Sequence, residues 1–359
     1  MPERQFTERL LGPEQLEPSD PRLEVVGACN PGAVEYGSGV ALMVRVVERP
    51  VEQGDGYLPA PRYTPDGQLE IDWLPEDDVD AESDPRCYTI KSTGQLRLRF
   101  VSHLRVFFSP DGRHLDPTQD DQVGPRLMPT GAYETYGIED PRITPIAGTS
   151  YMTVVAVSPH GVSSALLSTT DFNVFTRHGL IFCPDNKDVL LFPEKAAGDY
   201  IALHRPMPSM PFGSPEMWIA RSADLVHWGA HRQLFGGQAD GPFRDRVGGS
   251  TPPILTDRGF LTLFHGSDKP AGKAGVGKYT SGAMLLDATN PERIVGMSRG
   301  QVLEPVEDFE RKGFVDNVVF PSGAVRRGAS LYVYYGAADQ CCGVTAFDLE
   351  ELLDSCERV

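Results

Sequence analysis

No stretch of this 359-residue chain approaches the roughly 18 consecutive apolar residues of a membrane-crossing helix, so no membrane span is expected. The first eleven residues carry charges throughout and hold no apolar run, so no secretory signal is expected. Cysteine is sparse: Cys29, Cys87, Cys183, Cys341, Cys342 and Cys356 show no Cys-x-x-Cys spacing. Reduced thiols in a cytoplasmic protein are the simpler reading. No His/Cys/Asp cluster has zinc spacing, and no EF-hand or glycine-rich phosphate loop is present, so neither a metal nor a cofactor is expected. Basic residues are outnumbered, 33 against 50, and the net charge of -17 argues against nucleic acid as a partner. It does not exclude a small anionic substrate, which needs only local positive charge. Helical periodicity is almost absent, apart from a short turn at 348–356.

Turn formers, by contrast, are plentiful. The 37 glycines and 31 prolines suit many short strands, and 40% hydrophobic residues can fill a core. Five segments share one plan, a polar start bearing proline, then a glycine turn, then an apolar strand. They begin at Asn30-Pro31-Gly32, Glu139-Asp140-Pro141, Leu191-Phe192-Pro193, Thr251-Pro252-Pro253 and Val319-Phe320-Pro321. Their strands are expected at 40–47, 151–157, 200–205, 260–265 and 331–335. A second marker follows in each unit, an aspartate in a turn: Asp111, Asp171, Asp224, Asp287 and Asp348, spaced 60, 53, 63 and 61 residues apart. Five such units, each worth about four strands, predict an all-β five-bladed β-propeller over residues 27–359. Chance similarity within a pair of β-sandwiches is the alternative. Residues 1–26 stand outside the repeat as a polar extension. Residues 48–92, rich in proline, glycine and acid, read as an insertion between strands of the first blade.

The chemistry centres on Tyr136-Gly137-Ile138-Glu139-Asp140-Pro141-Arg142-Ile143-Thr144. Pro141 cannot donate a ladder hydrogen bond, so the two carboxylates belong near a strand's beginning. Strand alternation would send Glu139 to the side opposite Asp140. A charged turn with a surface ion pair is the plain alternative. In a propeller the first strand of each blade lines the central channel. Asn30, Glu139, Asp140, Glu194, Lys195 and the region of Thr251 should therefore converge on one pocket. Lys187 beside Asp185 and Asp188 can equally be a surface pair. Arg205 can be a structural arginine, and Arg246 in Arg244-Asp245-Arg246 a solvated loop charge. His204 and His265 each end an apolar strand, where hydrogen-bonded core histidines are common, and neither is given an acid–base role.

Gly137-Ile138-Glu139-Asp140-Pro141-Arg142-Ile143 resembles the signature of glycoside hydrolase family 130, the inverting β-mannoside phosphorylases and related mannosidases. So do Cys29-Asn30-Pro31-Gly32-Ala33, Leu191-Phe192-Pro193-Glu194-Lys195, Leu203-His204-Arg205-Pro206, Phe264-His265-Gly266, Asn317-Val318-Val319-Phe320-Pro321 and Tyr334-Tyr335-Gly336-Ala337-Ala338-Asp339. The resemblance runs in order from about Asn30 to Leu353 and itself implies a five-bladed propeller. It implies that Asp140 is the proton donor, acting through the sugar's own 3-hydroxyl, while inorganic phosphate attacks the anomeric carbon and releases α-mannose 1-phosphate. Asn30, Arg45 and Asp339 match positions that hold the mannose; Glu139, Arg142, Glu194, His204 and His265 complete the candidate substrate-binding set. Lys187, Arg205, Arg246 and Tyr279 are the candidates for phosphate, which would be a co-substrate. Arginine and lysine offer charge-assisted bonds to its oxygens. With only Trp73, Trp218 and Trp228, stacking surface is limited, which favours short oligosaccharides. The Asn186-Lys187-Asp188 and Leu203-His204-Arg205-Pro206 contexts look most like members acting on β-1,2-linked mannosides, with β-1,4 open. An inverting mannosidase would need a second carboxylate to activate water, Glu194 or Glu134. A non-catalytic glycan-binding propeller is the third reading. Homo-oligomerisation is left open.

Overall fold

The computed structural model describes residues 2–82, 84–208, 210, 213–237, 241–269 and 277–359. The chain is all-β, 56% strand and 6% helix, as its turn-rich composition implies. It builds five successive antiparallel units. The first contains strands Leu23–Tyr36, Gly39–Pro50, Val101–Ser109 and Val123–Leu127, and the second Gly137–Ile146, Thr149–Ser158, Gly161–Thr169 and Thr176–Phe182. A single parallel pairing, Gly137 with Ser102, joins these two into one eight-stranded sheet. The third unit comprises Asn186–Leu191, Tyr200–Pro206, Met217–Ser222 and Trp228–Phe235. In the fourth, Arg246–Gly249 and Ile254–Thr256 both pair with Gly259–Ser267, followed by Tyr279–Leu286 and Ile294–Ser298. The fifth holds Val319–Arg327, Ser330–Ala337 and Cys341–Asp348. The five strands expected from sequence are the second strand of each unit, except in the fourth, where Gly259–Ser267 is the third because two short strands precede it. The glycine- and lysine-rich stretch before Tyr279 falls largely outside the described residues.

The five aspartate markers prove to be one device. Each lies at or just past the end of the strand that follows the one expected from sequence, and accepts backbone N–H from the residues after it, two amides in the first four cases and one in the fifth. Asp111 takes those of Arg113 and His114, and Asp171 those of Asn173 and Val174. Asp224 takes Val226 and His227, Asp287 takes Thr289 and Asn290, and Asp348 caps a short helix through Glu351. A short carboxylate that satisfies two turn amides ends a strand cheaply, which explains the recurrence.

Five hydrophobic clusters lie between successive units. Ile143 and Met152 of the second unit meet Leu104 and Val106 of the first; Ile146 and Leu166 meet Val189 and Ala202 of the third. Leu190 and Leu203 meet Phe260 and Met284 of the fourth, and Leu261 and Leu263 meet Leu331 and Val333 of the fifth. Tyr334 and Val344 of the fifth then meet Val40 and Phe107 of the first. Close approach of the first strands is set by glycine. A β-carbon at Gly32 would stand 2.8 Å from the Pro141 carbonyl oxygen, and one at Gly323 would stand 2.6 Å from the Ala33 nitrogen.

The two segments that stand outside the repeat in sequence both take on regular structure. Residues 1–26 supply Phe6–Leu11, which pairs with Cys341–Asp348 as the outer strand of the fifth unit. Leu10 and Leu11 are buried there. The polar look of the segment hides this because an edge strand buries only one face. The insertion leaves the first unit after Pro50 and returns at Val101. It forms a hairpin, Tyr57–Tyr63 with Leu69–Pro75, and a small sheet of Val79–Asp80, Cys87–Ile90 and Leu96–Leu98, packed around Ala60, Val79 and Tyr88.

Candidate active site

The polar, proline-bearing starts interrupt the first strands. Register shifts fall between Cys29 and Gly32, between Glu139 and Arg142, between Lys187 and Leu190, and between Pro321 and Gly323. In the first two and the last, proline withholds the N–H that a regular ladder would use. In the first three, the displaced residue takes a left-handed backbone: Asn30 at φ 50°, Asp140 at φ 49°, Asp188 at φ 56°. Asn and Asp tolerate that region better than other non-glycine residues, and a bulge re-aims the side chain it carries. These three side chains line one cavity of about 560 Å³, a size suited to a small ligand.

Asn30 Nδ2 donates to Asp140 Oδ1 at 2.7 Å. Arg45 bridges both carboxylates, Nη1 to Asp140 Oδ1 at 3.2 Å and Nη2 to Glu139 Oε1 at 2.7 Å. Glu139 therefore shares the cavity with Asp140. The bulge suspends the alternation that would have separated them. Arg142 does not line the cavity. It is buried beneath it, donating to the Asp140 carbonyl at 2.5 Å and the Ser250 carbonyl at 2.8 Å, with its guanidinium over the Phe320 ring. It is a backbone clamp on the bulge rather than a substrate ligand.

The same cavity carries a basic wall. Lys187 and Arg205 are direct cross-strand partners and both line the cavity. Arg246 and Tyr279 from the fourth unit join them. Arg205 Nε meets Asp188 Oδ2 at 2.7 Å, and His265 Nε2 lies 3.3 Å from the same oxygen. Arg246 is held by Asp245 at 2.8 Å.

Electrostatics separates the carboxylates. Burial pushes Asp140 up, but Arg45, Arg142, Lys187 and the Asn30 hydrogen bond outweigh it, so Asp140 lies below the usual carboxylate range. Glu139 is raised, chiefly by burial, with the Asp140 charge adding to it. Burial also raises Asp339, against the attraction of Arg45. Asp188 is strongly depressed: Arg205, His265 and Arg142 overcome its burial. Burial lowers His265 to about 4, leaving the ring neutral. Burial raises Tyr279 despite nearby Arg246.

Of the residues singled out by sequence, Asn30, Arg45, Glu139, Asp140, Lys187, Arg205, Arg246, His265, Tyr279 and Asp339 line this cavity. Glu194 does not. It is exposed, beyond the end of Asn186–Leu191, seven positions after Lys187, and at roughly 3.3 Å per residue that is the far end of the strand. Lys195 beside it is exposed too, its ammonium over the Tyr200 ring. His204 is also outside the lining, packed on Phe182 and between Asn186 and His231; burial holds it near 3. Glu134 is ion-paired to Arg177 at 2.6 Å beside a different, smaller pocket. Sequence reasoning missed Asp188 as the counter-ion of the basic wall. It also missed Asp84, Arg86, Phe100, Phe314 and Phe320 among the lining residues. Nothing in the local sequence of the first four sets them apart, whereas Phe320 was visible only as part of the Val319-Phe320-Pro321 start.

A family model described as beta-1,4-mannooligosaccharide phosphorylase, for glycoside hydrolase family 130, matches residues 115–358. The chain belongs to glycoside hydrolase family 130. It is 39% identical over 352 residues to a beta-1,2-mannobiose phosphorylase of Listeria innocua, covering 97% of this chain and 96% of the relative. A 1,2-beta-oligomannan phosphorylase of Thermoanaerobacter is 32% identical over 261 residues, 71% of this chain and 81% of the relative. Among solved structures, the Listeria innocua beta-1,2-mannobiose phosphorylase in complex with beta-1,2-mannobiose superposes with a TM-score of 0.88 at 36% identity, covering 97% of this chain and 98% of that one.

Proposed function

We propose that this family 130 member is an inverting phosphorylase of short β-1,2-mannosides, releasing α-mannose 1-phosphate. The observation that carries the reading is the basic wall. Lys187 and Arg205 stand directly opposite each other on neighbouring strands, with Arg246 beside them. Like charges in that position are destabilising on their own. Asp188 and Asp245 meet part of that charge; an anionic ligand offsets the rest, and phosphate is the anionic nucleophile this chemistry uses. Neither carboxylate suggested by sequence as a hydrolytic base, Glu194 or Glu134, faces the cavity. The relative aligned over nearly the whole chain supports the β-1,2 linkage.

In this reading the mannose occupies the space among Asn30, Arg45, Asp140 and Asp339. A phosphate oxygen attacks the anomeric carbon from the side of the basic wall. The glycosidic C–O bond breaks, and the departing oxygen takes a proton from the sugar's 3-hydroxyl, which Asp140 replenishes. The five units act as blades around this channel, a five-bladed propeller. The run of clusters from each unit to the next, and from the fifth back to the first, supports that closure. Phosphate is a co-substrate, and no further cofactor takes part.

The deciding experiment incubates the protein with β-1,2- and β-1,4-mannobiose, with and without phosphate. Mannose 1-phosphate is expected from the β-1,2 disaccharide only when phosphate is present. Release of free mannose at equal rates in both conditions overturns the reading in favour of hydrolysis. Asp339, a cavity carboxylate that no described side chain ties up by a hydrogen bond, would then be the base to test.

A further inference from the structure

One wall of the cavity is built largely by the insertion. Asp84, Arg86, Leu98 and Phe100 come from it and its return to the first unit. Leu98, Phe100 and Phe314 make this side apolar, with Phe100 and Phe314 edge to face at 6.1 Å. Against it stands one polar pair. Arg86 Nε donates to Asp84 Oδ1 at 3.0 Å and Nη2 to Oδ2 at 2.7 Å, a bidentate fork that leaves Nη1 without a hydrogen bond among the described residues. The pair is built on a packed element. Tyr88 fills the small core of the insertion, Arg99 lies over the Tyr88 ring, and the Arg99 amide donates to the Arg86 carbonyl.

Resting on the phosphorylase reading above, we propose that the Asp84–Arg86 pair is the specificity-determining element for the leaving-group sugar. A carboxylate and a guanidinium locked together carry no net charge, so they add little for phosphate, which Lys187, Arg205 and Arg246 already serve. They do present a free N–H donor and carboxylate lone pairs side by side. That set matches neighbouring sugar hydroxyls, each of which can donate and accept. The apolar wall beside the pair suits the C–H face of a pyranose. The insertion thus reads the released sugar, while the bulged strands and the basic wall hold the transferred mannose and the phosphate.

The test runs the reaction in the synthetic direction on the full chain, from α-mannose 1-phosphate and mannose as acceptor. Arg86→Ala and Asp84→Asn are expected to raise KM for the acceptor at least about tenfold and to change KM for mannose 1-phosphate by less than about twofold. Arg86→Lys keeps the charge but loses the fork, and is expected to behave like Arg86→Ala. A rise confined to mannose 1-phosphate, or Arg86→Lys behaving as wild type, makes Arg86 a phosphate cation and overturns the proposal. Unchanged constants in all variants overturn it as well. Thermal unfolding controls for misfolding, and if Arg86→Ala fails to fold, Asp84→Asn carries the comparison. A wild-type protein that only hydrolyses mannobiose sinks the phosphorylase reading but leaves this one testable: the same substitutions are then compared by the Kd of β-1,2-mannobiose on an Asp140→Asn background, where no loss of affinity would overturn it.

Discussion

Asp140 faces two demands that pull its ionisation in opposite directions. In the proposed mechanism it is the proton donor and must hold its proton, yet Arg45, Arg142, Lys187 and Asn30 favour its carboxylate. A phosphate dianion bound as proposed, against Lys187 and Arg205, would offset part of that positive field and raise Asp140's hold on its proton. The sign follows directly. Activity falls as pH rises through the Asp140 pKa, and that limb should lie at higher pH in kcat, with both substrates bound, than in kcat/KM for the mannoside at low phosphate. Coincident limbs would show that phosphate does not tune the acid. Asp140→Asn should cut turnover by at least about 10²-fold, the lower scale for losing a general acid, and abolish the limb. Glu139→Gln is costly too, because Arg45 bridges both carboxylates. Its loss is expected to be smaller, with the limb retained. For phosphate affinity the informative substitution is Lys187→Ala. Arg205→Ala would strand the buried Asp188, whereas no side-chain hydrogen bond among the described residues depends on Lys187. Losing one charge-assisted contact, worth about 1.5–3 kcal/mol, should raise KM for phosphate one to two decades and leave KM for the mannoside near wild type.

At the scale of the element, the bulge is what sequence reading left out. Pro141 betrayed an interruption, and Glu139 and Asp140 were legible as a pair, but which way each points depends on a register shift that alternation cannot foresee. The repeat was legible because its aspartates answer a local need, two turn amides seeking an acceptor. Glu194 misled for the converse reason: it shares a motif with the site but sits at the wrong end of its strand. Asp188 entered only as a possible surface partner of Lys187, because its actual partners, Arg205, His265 and Arg142, arrive from other strands. The packing of one bulge on the next gives a direct test. In Gly32→Ala the new methyl would press on the Pro141 carbonyl. Overpacking of this kind costs about 1–3 kcal/mol, and here the displaced backbone bears Asp140, the proposed acid. Chemical denaturation should show that loss, and kcat should fall by more than the stability change alone explains. Wild-type activity in this variant would mean that the bulge is not held by its neighbour.

For the molecule as a whole, the fifth unit is completed by the first residues of the chain. Phe6–Leu11 lies along Cys341–Asp348, with Phe6 edge to face with Tyr332 and under Arg113, and Leu10 and Leu11 buried between the fifth and first units. The two leucines alone contribute on the order of 3–6 kcal/mol by burial, a large share of the ~5–15 kcal/mol that holds a typical fold. Removing residues 2–12 should therefore lower the unfolding midpoint severely, as read by thermal or urea denaturation. A truncated protein that unfolds like the full chain would show the strand to be an ornament.

That pairing also sets a timetable. During synthesis, residues 6–11 are made long before the strand they must find, 341–348. Until that strand arrives the segment has no partner, and the unit it will finish does not yet exist. The earlier units can assemble as they emerge, but the fifth is completed only when a strand made early meets one encoded far downstream.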